Sequence, residues 1–444
     1  MYIKYSKDDS FEDDDLETLM KAINENGQAE LFELEYELTS VIEKMNNTGV
    51  KINPSILSDA LQDIAKKHSE SELSAKNLIF DNFDNTEDFN LSSPKQLQTI
   101  LFDVLELPKT KKNKTGYTTD AKAISKLIEK TDDNIVAGFL KNLQDFREYS
   151  KLKTTIEGLI KAADENDIIH TTFLQFNTGT GRLSSKNPNL QNLPFKKEIG
   201  KKIRAAFIPS DGYKNLISAD YSQIEMRIMA HLAGDSKTIE AFKNGQDLHK
   251  YIASSVYSID YYDVTTAQRN SIKSLVYGLA YGLTTFGLAA DLNVGYQEAK
   301  HITEEFFAEF STIKEYLDNS IKIANENGYT STILNRRRYL SNFSAMSKFD
   351  KTATDRIALN APIQGSAADI IKISMLKISK LLNDSDLKSR MILQIHDELV
   401  FEVADGEEDQ LKSFILKAME DTVKLSVPIP VSIGVGANLL DAAH

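Results

Sequence analysis

Apolar positions first recur at helical spacing over residues 29–45, where Leu31, Leu34, Leu38, Ile42 and Met45 follow one another at three and four residues. Asn46, Asn47 and Gly49 end that pattern, with Gly49 standing where a left-handed cap is wanted. Residues 54–163 read as mostly helical, broken by a polar, lysine-rich loop over 109–119. Near Ile168 the period changes. Ile168, Ile169, Thr171, Phe173, Leu174 and Phe176 predict a strand over 168–176, followed by a turn at Gly179 and Gly181. The run Leu216-Ile217-Ser218-Ala219 predicts a second strand that ends on Asp220, and a long helical stretch starts at Ser222. Residues 236–330 are almost entirely helix-like. Two strand-like runs, 391–395 and 399–403, flank His396-Asp397-Glu398 and predict a hairpin with a charged turn. The last strand-like segment, 427–435, contains Pro428 and Pro430 and belongs at a sheet edge. Residues 1–28 are acidic and poorly patterned, which suits a leader. The pattern is that of an α+β protein, a small antiparallel sheet with two large helical insertions.

Composition narrows the class. A chain of 444 residues, 41% apolar and 26% charged, is globular and long enough for two to four domains. Without cysteine, a disulfide framework and thiolate metal sites are excluded. No apolar run approaches the roughly 18–20 residues of a membrane span, and the N-terminus has neither a signal core nor transit character. The expectation is a cytoplasmic protein of a bacterial cell or phage-infected host, with an organelle left open. The net charge of −13 argues superficially against a nucleic-acid partner, yet the first 50 residues carry −9 of it. Basic clusters stand out in the remainder: Lys109, Lys111, Lys112 and Lys114; Lys196, Lys197, Lys201, Lys202 and Arg204; and Arg336, Arg337 and Arg338. Such clusters can follow a phosphate backbone or decorate solvated loops. Charge alone does not choose.

Asp220 and Asp397 each sit at the end of an apolar run. On neighbouring strands, two such carboxylates could hold a pair of Mg²⁺ ions about 4 Å apart for in-line phosphoryl transfer. An isolated aspartate there can equally well support a turn. Arg269, Lys273, Tyr277 and Tyr281 recur every four residues, so on one helix they fall within about a 120° sector. That face offers two cations and two aromatic rings, although a stripe of this kind alone can be a snorkelling surface. Gly278 and Gly282, read as lying inside the same helix, cost roughly 1 kcal/mol each against Ala.

The contexts of these residues carry a resemblance. Asp220-Tyr221-Ser222-Gln223-Ile224-Glu225-Met226-Arg227, the Arg269 to Gly282 pattern and Gln394-Ile395-His396-Asp397-Glu398 resemble motifs A, B and C of the family A DNA polymerases, the bacterial DNA polymerase I class. Thr180-Gly181-Arg182-Leu183-Ser184-Ser185 with Pro188-Asn189-Leu190-Gln191-Asn192-Leu193-Pro194 resembles the family's primer-template segment. Arg356, Asn360, Gln364-Gly365 and Asp369 match the helix before motif C. Gly328-Tyr329, Arg336-Arg337-Arg338-Tyr339-Leu340, the segment Lys114 to Asp120 and Lys151-Leu152-Lys153 fit as well. The match runs in order from about residue 30 to 440.

The resemblance implies a right-hand architecture: a palm entry helix over 29–47, a helical thumb over 48–163, palm over 164–225, helical fingers over 226–350 and palm again over 351–444. It implies template-directed addition of dNTPs to a primer 3′-hydroxyl, in replication or repair, with two Mg²⁺ ions for which Mn²⁺ can substitute. Asp220, Asp397 and the backbone of Tyr221 would hold the metals, with Glu398 an auxiliary acid. Arg269, Lys273 and His249 would bind the triphosphate, with Lys273 also taking part in catalysis. Tyr277, Tyr281, Glu225 and Gln223 would complete the nucleotide site, Glu225 blocking a ribose 2′-hydroxyl and bonding Tyr281. The two glycines would allow close approach of a base pair and movement of the helix. Arg182, Gln191, Asn192, Lys151, Lys153, Arg356, Asn360 and Gln364 would contact primer-template DNA. His396 is read either as a contact near the primer terminus or as a turn hydrogen-bonder. Implied partners are DNA, dNTPs and a separate exonuclease or replication factors, on a monomer away from membranes.

Three departures stand out: Asn335 where a glycine is common, no tryptophan in Ala437-Asn438-Leu439-Leu440, and Tyr277 in place of the phenylalanine of many bacterial relatives. The residues before the thumb are too few for a proofreading domain, so no proofreading is expected of this chain. Two other readings are a primer-template binding module without turnover, which Asp220, Asp397, Arg269 and Lys273 oppose, and a single-subunit RNA polymerase, which Glu225 and Tyr277 oppose.

Overall fold

The computed structural model describes residues 16–83, 88–113, 116–194, 198–340 and 348–443. Lys114, Lys196 and Lys197, named above, and residues 1–15 of the acidic stretch lie outside them. The chain forms two compact units: one of residues 1–50, 170–192 and 209–444, the other of 51–169 and 193–208.

The first unit contains α1 (Leu16–Glu25), α2 (Ala29–Thr48), β1 (Tyr213–Tyr221), α3 (Ile224–Ala233), α4 (Leu248–Tyr257), α5 (Thr266–Ala280), α6 (Lys348–Asn383), β2 (Arg390–Ile395), β3 (Glu398–Ala404), α7 (Glu408–Glu420) and β4 (Val431–Gly436), with further helices between α5 and α6. The strands make one antiparallel sheet in the order β2-β3-β1-β4. The centre of its two middle strands is apolar, with Leu216, Ile217, Ala219, Leu399, Val400 and Phe401 fully buried. That burial fixes register, because a slip by one residue would exchange the faces of every side chain. Helices α2 and α7 pack against the sheet, and α6 packs against both of them.

Local chemistry explains most boundaries. Gly49 ends α2 at φ 68° with its N–H returned to the Met45 carbonyl. β4 starts immediately after Pro430, where backbone N–H groups become available, and lies at the sheet edge. The strand predicted over 168–176 is two pieces, Ile168–Ile169 and Thr172–Leu174, the latter paired with Ser184–Lys186. Within the stretch read as an unpatterned leader, residues 16–25 form a helix. The turn after that helix is tied down by Asn335, whose side-chain amide donates to the carbonyls of Asn26 and Gly27. Asn335 adopts φ 58°, so the asparagine occupies a left-handed position that it tolerates better than most non-glycine residues.

The second unit is built on two long helices, Pro54–Phe80 and Asn134–Ala162, packed along each other. Asn53 and Asp133 cap them, each side chain accepting two backbone N–H bonds. Ile79, Leu91, Leu97, Phe139, Leu140 and Leu143 form its core. Lys151 and Lys153 lie on the second long helix, Lys151 exposed and Lys153 half-buried. Among the described residues, no helix is long and apolar enough to cross a membrane.

Candidate active site

The centre of the site follows from sheet register. Asp220 stands opposite Glu398 on β3 and opposite Ser432 on β4. Asp397 is in the two-residue turn between β2 and β3, and its carbonyl accepts the Tyr221 N–H at 3.3 Å. His396 opens that turn at φ 55°, side chain exposed, with its carbonyl bonded by the Gln394 amide. The Tyr221 ring points the other way, its hydroxyl 2.7 Å from both Ser374 Oγ and the Met419 carbonyl. Anchored on one side of the strand, Tyr221 keeps the end of β1 rigid while Asp220 projects from the opposite face. Glu398 is steadied by Ser218 Oγ, which donates to it at 2.6 Å.

Burial and neighbouring carboxylates raise both aspartates. Burial, then Asp397 and Glu398, push Asp220 up to about 7. Asp397 rises to about 6 through burial, with Arg182 pulling it back and Glu225 pushing it further. Arg182 Nη2 lies 3.7 Å from Asp397. Among the described residues, no group of three or more His, Asp or Glu is gathered as a ready-made metal cage. An oxygen-only pair raised in this way nevertheless fits Mg²⁺, which is commonly held by one or two carboxylates plus substrate phosphates.

A second wall comes from α4 and α5. Arg269, Lys273 and Tyr277 lie at four-residue intervals along α5, Lys273 exposed. Thr265 and Gln268 close a capping box at the start of that helix. Asp247 caps α4 and pairs with Arg269 at 2.7 Å. His249, on the first turn of α4, is 2% exposed and lies 5.8 Å, ring to ring, from Tyr277. Neither of its ring nitrogens has a hydrogen-bond partner among the described residues. Burial drives His249 down to about 4 against the opposing pull of Asp247, and Arg269 and Lys273 disfavour its protonation further. A buried neutral imidazole with two unmatched nitrogens, next to two cations, is suited to an incoming polar ligand.

Tyr281 departs from the expected geometry: it lies one residue past the end of α5, as its C-cap. It still faces the site, its ring 6.0 Å from Tyr277 and its hydroxyl donating to Glu225. Gly282 is outside the helix at φ 68°, where a Cβ would come within 2.8 Å of the Arg356 side chain. Its cause is backbone conformation and the packing of Arg356, which donates to the Gly282 carbonyl at 3.2 Å. Gly278 is inside α5 and packs on Leu283, which a Cβ would approach to 3.1 Å.

Glu225, 6% exposed at the start of α3, joins the two walls. One oxygen accepts Arg182 Nη2 at 2.5 Å and the other accepts the Tyr281 hydroxyl. Gln223 precedes α3 in a left-handed conformation, its Oε1 buried without a hydrogen-bond partner among the described residues. Gln191 is turned inward, donating to Gln394 Oε1 at 2.7 Å, and so anchors its segment to β2, while Asn192 is exposed. Arg356, Asn360 and Gln364 share one face of α6, Arg356 exposed and the other two half-buried. Lys151 and Lys153 belong to the second unit.

The triple-arginine cluster is corrected. Arg336 is 3% exposed and makes ion pairs with Glu35 at 2.5 Å and Asp369 at 2.6 Å. Lys372, fully buried, pairs with Glu35 at 2.5 Å. The four charges form a balanced core network, so Arg336 is not available to a phosphate backbone. Arg337 lies over the Tyr329 ring and bonds Asn26. Sequence reasoning also passed over the Asp247–Arg269 pair; its signal was an aspartate placed to cap the helix that carries His249.

The family described as DNA polymerase family A matches residues 58–441. DNA polymerase I of Mycobacterium tuberculosis (strain ATCC 25618 / H37Rv) is 44% identical over 93% of this chain and 45% of its own length. DNA polymerase I of Bacillus subtilis (strain 168) is 38% identical over 96% and 47%. The chain thus spans about half the length of the curated relatives it matches. A solved structure, the POL domain of Pol1 from M. smegmatis in complex with DNA primer-template and dNTP, is similar with a TM-score of 0.88 and 44% identity, over 92% of this chain and 70% of that one.

Proposed function

The chain belongs to DNA polymerase family A, and on that premise we propose that it adds dNTPs to a primer 3′-hydroxyl under template direction, by two-metal-ion phosphoryl transfer, in replication or repair. The observation that carries this is the pair Asp220 and Asp397, held at adjoining strand ends and raised by burial and neighbouring carboxylates.

Asp220, Asp397 and the backbone of Tyr221 would hold two Mg²⁺ ions. When bound, these would lower the barrier to attack by the 3′-oxygen and neutralise charge on the triphosphate. The protein's own groups do the positioning. Arg269 and Lys273 on α5 meet the triphosphate, and the neutral His249 offers a ring N–H beside them. Tyr277 and Tyr281 form the floor for sugar and base. Glu225, fixed by Tyr281 and Arg182, stands where a ribose 2′-hydroxyl would otherwise fit. Arg182, Asn192, Arg356, Asn360, Gln364 and His396 contact the primer-template. Their partners are backbone and minor-groove acceptors, which vary little with sequence. Gln191 supports that segment through Gln394.

The test is primer extension by the Asp220→Ala and Asp397→Ala proteins. Extension is expected to fall below a few per cent of wild type while primer-template affinity, read by fluorescence anisotropy, stays within a few-fold. Extension by both variants at near wild-type rate would end the two-metal reading. Extension with NTPs as fast as with dNTPs would favour an RNA polymerase instead.

A further inference from the structure

Asp247 has all its polar groups committed. Oδ1 accepts the Lys250 N–H at 3.0 Å and so caps α4. Oδ2 takes Arg269 of α5, Nε at 2.8 Å and Nη2 at 2.7 Å. Its backbone N–H donates to the Tyr261 hydroxyl at 3.2 Å. Burial would raise this carboxyl, but Arg269 and the Lys250 N–H hold it below the usual range, so it stays ionised. The residue grips one edge of the guanidinium and directs the Nη1 end away from itself. His249 sits two residues further along the same capped turn.

We propose that Asp247 is a positioning residue for triphosphate binding: it presets the Arg269 guanidinium beside His249 and Lys273, so that an incoming dNTP meets an ordered cation. This rests on the reading of Arg269 as a triphosphate binder. An arginine side chain has several rotors, and fixing them before the ligand arrives removes an entropy cost from binding. A carboxylate near a triphosphate also repels it. Here that charge is offset by Arg269 and by the N–H groups at the start of α4, so presetting outweighs repulsion.

Three single variants and one double variant separate the possibilities. Asp247→Ala removes both the cap and the grip. Asp247→Ser keeps an acceptor for the cap but is too short to hold Arg269. Both should raise the KM for dNTP five- to tenfold with kcat within about twofold, and the serine variant should melt at the wild-type temperature. Arg269→Ala should raise the same KM by more, and Asp247→Ala added to it should change KM less than twofold. Either of two results would overturn the proposal: a lowered KM in Asp247→Ser, meaning that the carboxylate competes with phosphate, or an equal rise in the Arg269→Ala background, meaning that Asp247 acts through the fold alone. An unchanged KM in Arg269→Ala would reject the reading of Arg269 itself, and the inference with it.

Discussion

An Asp220→Asn substitution exchanges one oxygen for nitrogen at the end of β1 and removes one of two facing negative charges. The folded group titrates near 7 instead of 3.8, because burial and the neighbouring Asp397 and Glu398 disfavour its charge. Between those pH values the unfolded chain holds fewer protons than the folded one. In the absence of divalent cations, stability therefore falls as pH rises across that window and is level above it. A shift of that size at about 1.4 kcal/mol per unit bounds the effect near 4 kcal/mol. The carboxylate is only half-buried, and solvent screening reduces this to about 1–2 kcal/mol. Asp220→Asn should thus melt roughly 1–2 °C above wild type at pH 7.5 in EDTA. The gap should shrink towards pH 4.5, and should shrink again at pH 7.5 when Mg²⁺ is added, because the cation offsets the same repulsion. Calorimetric scans of both proteins at the two pH values, with and without Mg²⁺, measure it. A variant no more stable than wild type at pH 7.5, or a gap independent of pH, would refute the claim that Asp220 is electrostatically strained.

Tyr277 keeps its proton, since burial and then Glu225 push its hydroxyl up to about 12, so it is a hydrogen-bond donor at working pH. That donor can replace the 3′-hydroxyl missing from a dideoxynucleotide, a group typically worth about 1–3 kcal/mol. Wild type should therefore use ddTTP nearly as well as dTTP. Tyr277→Phe should discriminate about tenfold or more, and equal discrimination in a competition assay would remove Tyr277 from the sugar. Lys372→Met leaves Glu35 short of one of its two buried cations and should lower stability by about 3–5 kcal/mol, measured as a lower melting temperature. A loss under about 1 kcal/mol would mean that Arg336 satisfies Glu35 alone.

Much of the site was legible in the chain because it is written in local patterns. An apolar run ending on Asp220, a hairpin with its charged turn at His396-Asp397-Glu398, and cations and rings repeated every four residues each specify an element and the face it presents, although Glu398 proves to begin the second strand. Backbone hydrogen bonding then fixes what is local: Asp220 must lie beside Glu398 once β1 and β3 pair in the register that buries their apolar residues. Gly282 and Tyr281 show the limit, since spacing extended the helix over both and only the chain's turn away from α5 ends it. The Arg336 network was illegible. A charged residue is normally at the surface, and nothing near Arg336 in sequence announces Glu35, 301 residues away. Its burial was decided when α2, α6 and the segment carrying Arg336 packed together, because charges enclosed by neighbouring elements must neutralise one another or remain in water. Asp247 lies between the two cases. Its capping role follows from its place before α4, but its hold on Arg269 exists only because tertiary packing sets α4 against α5.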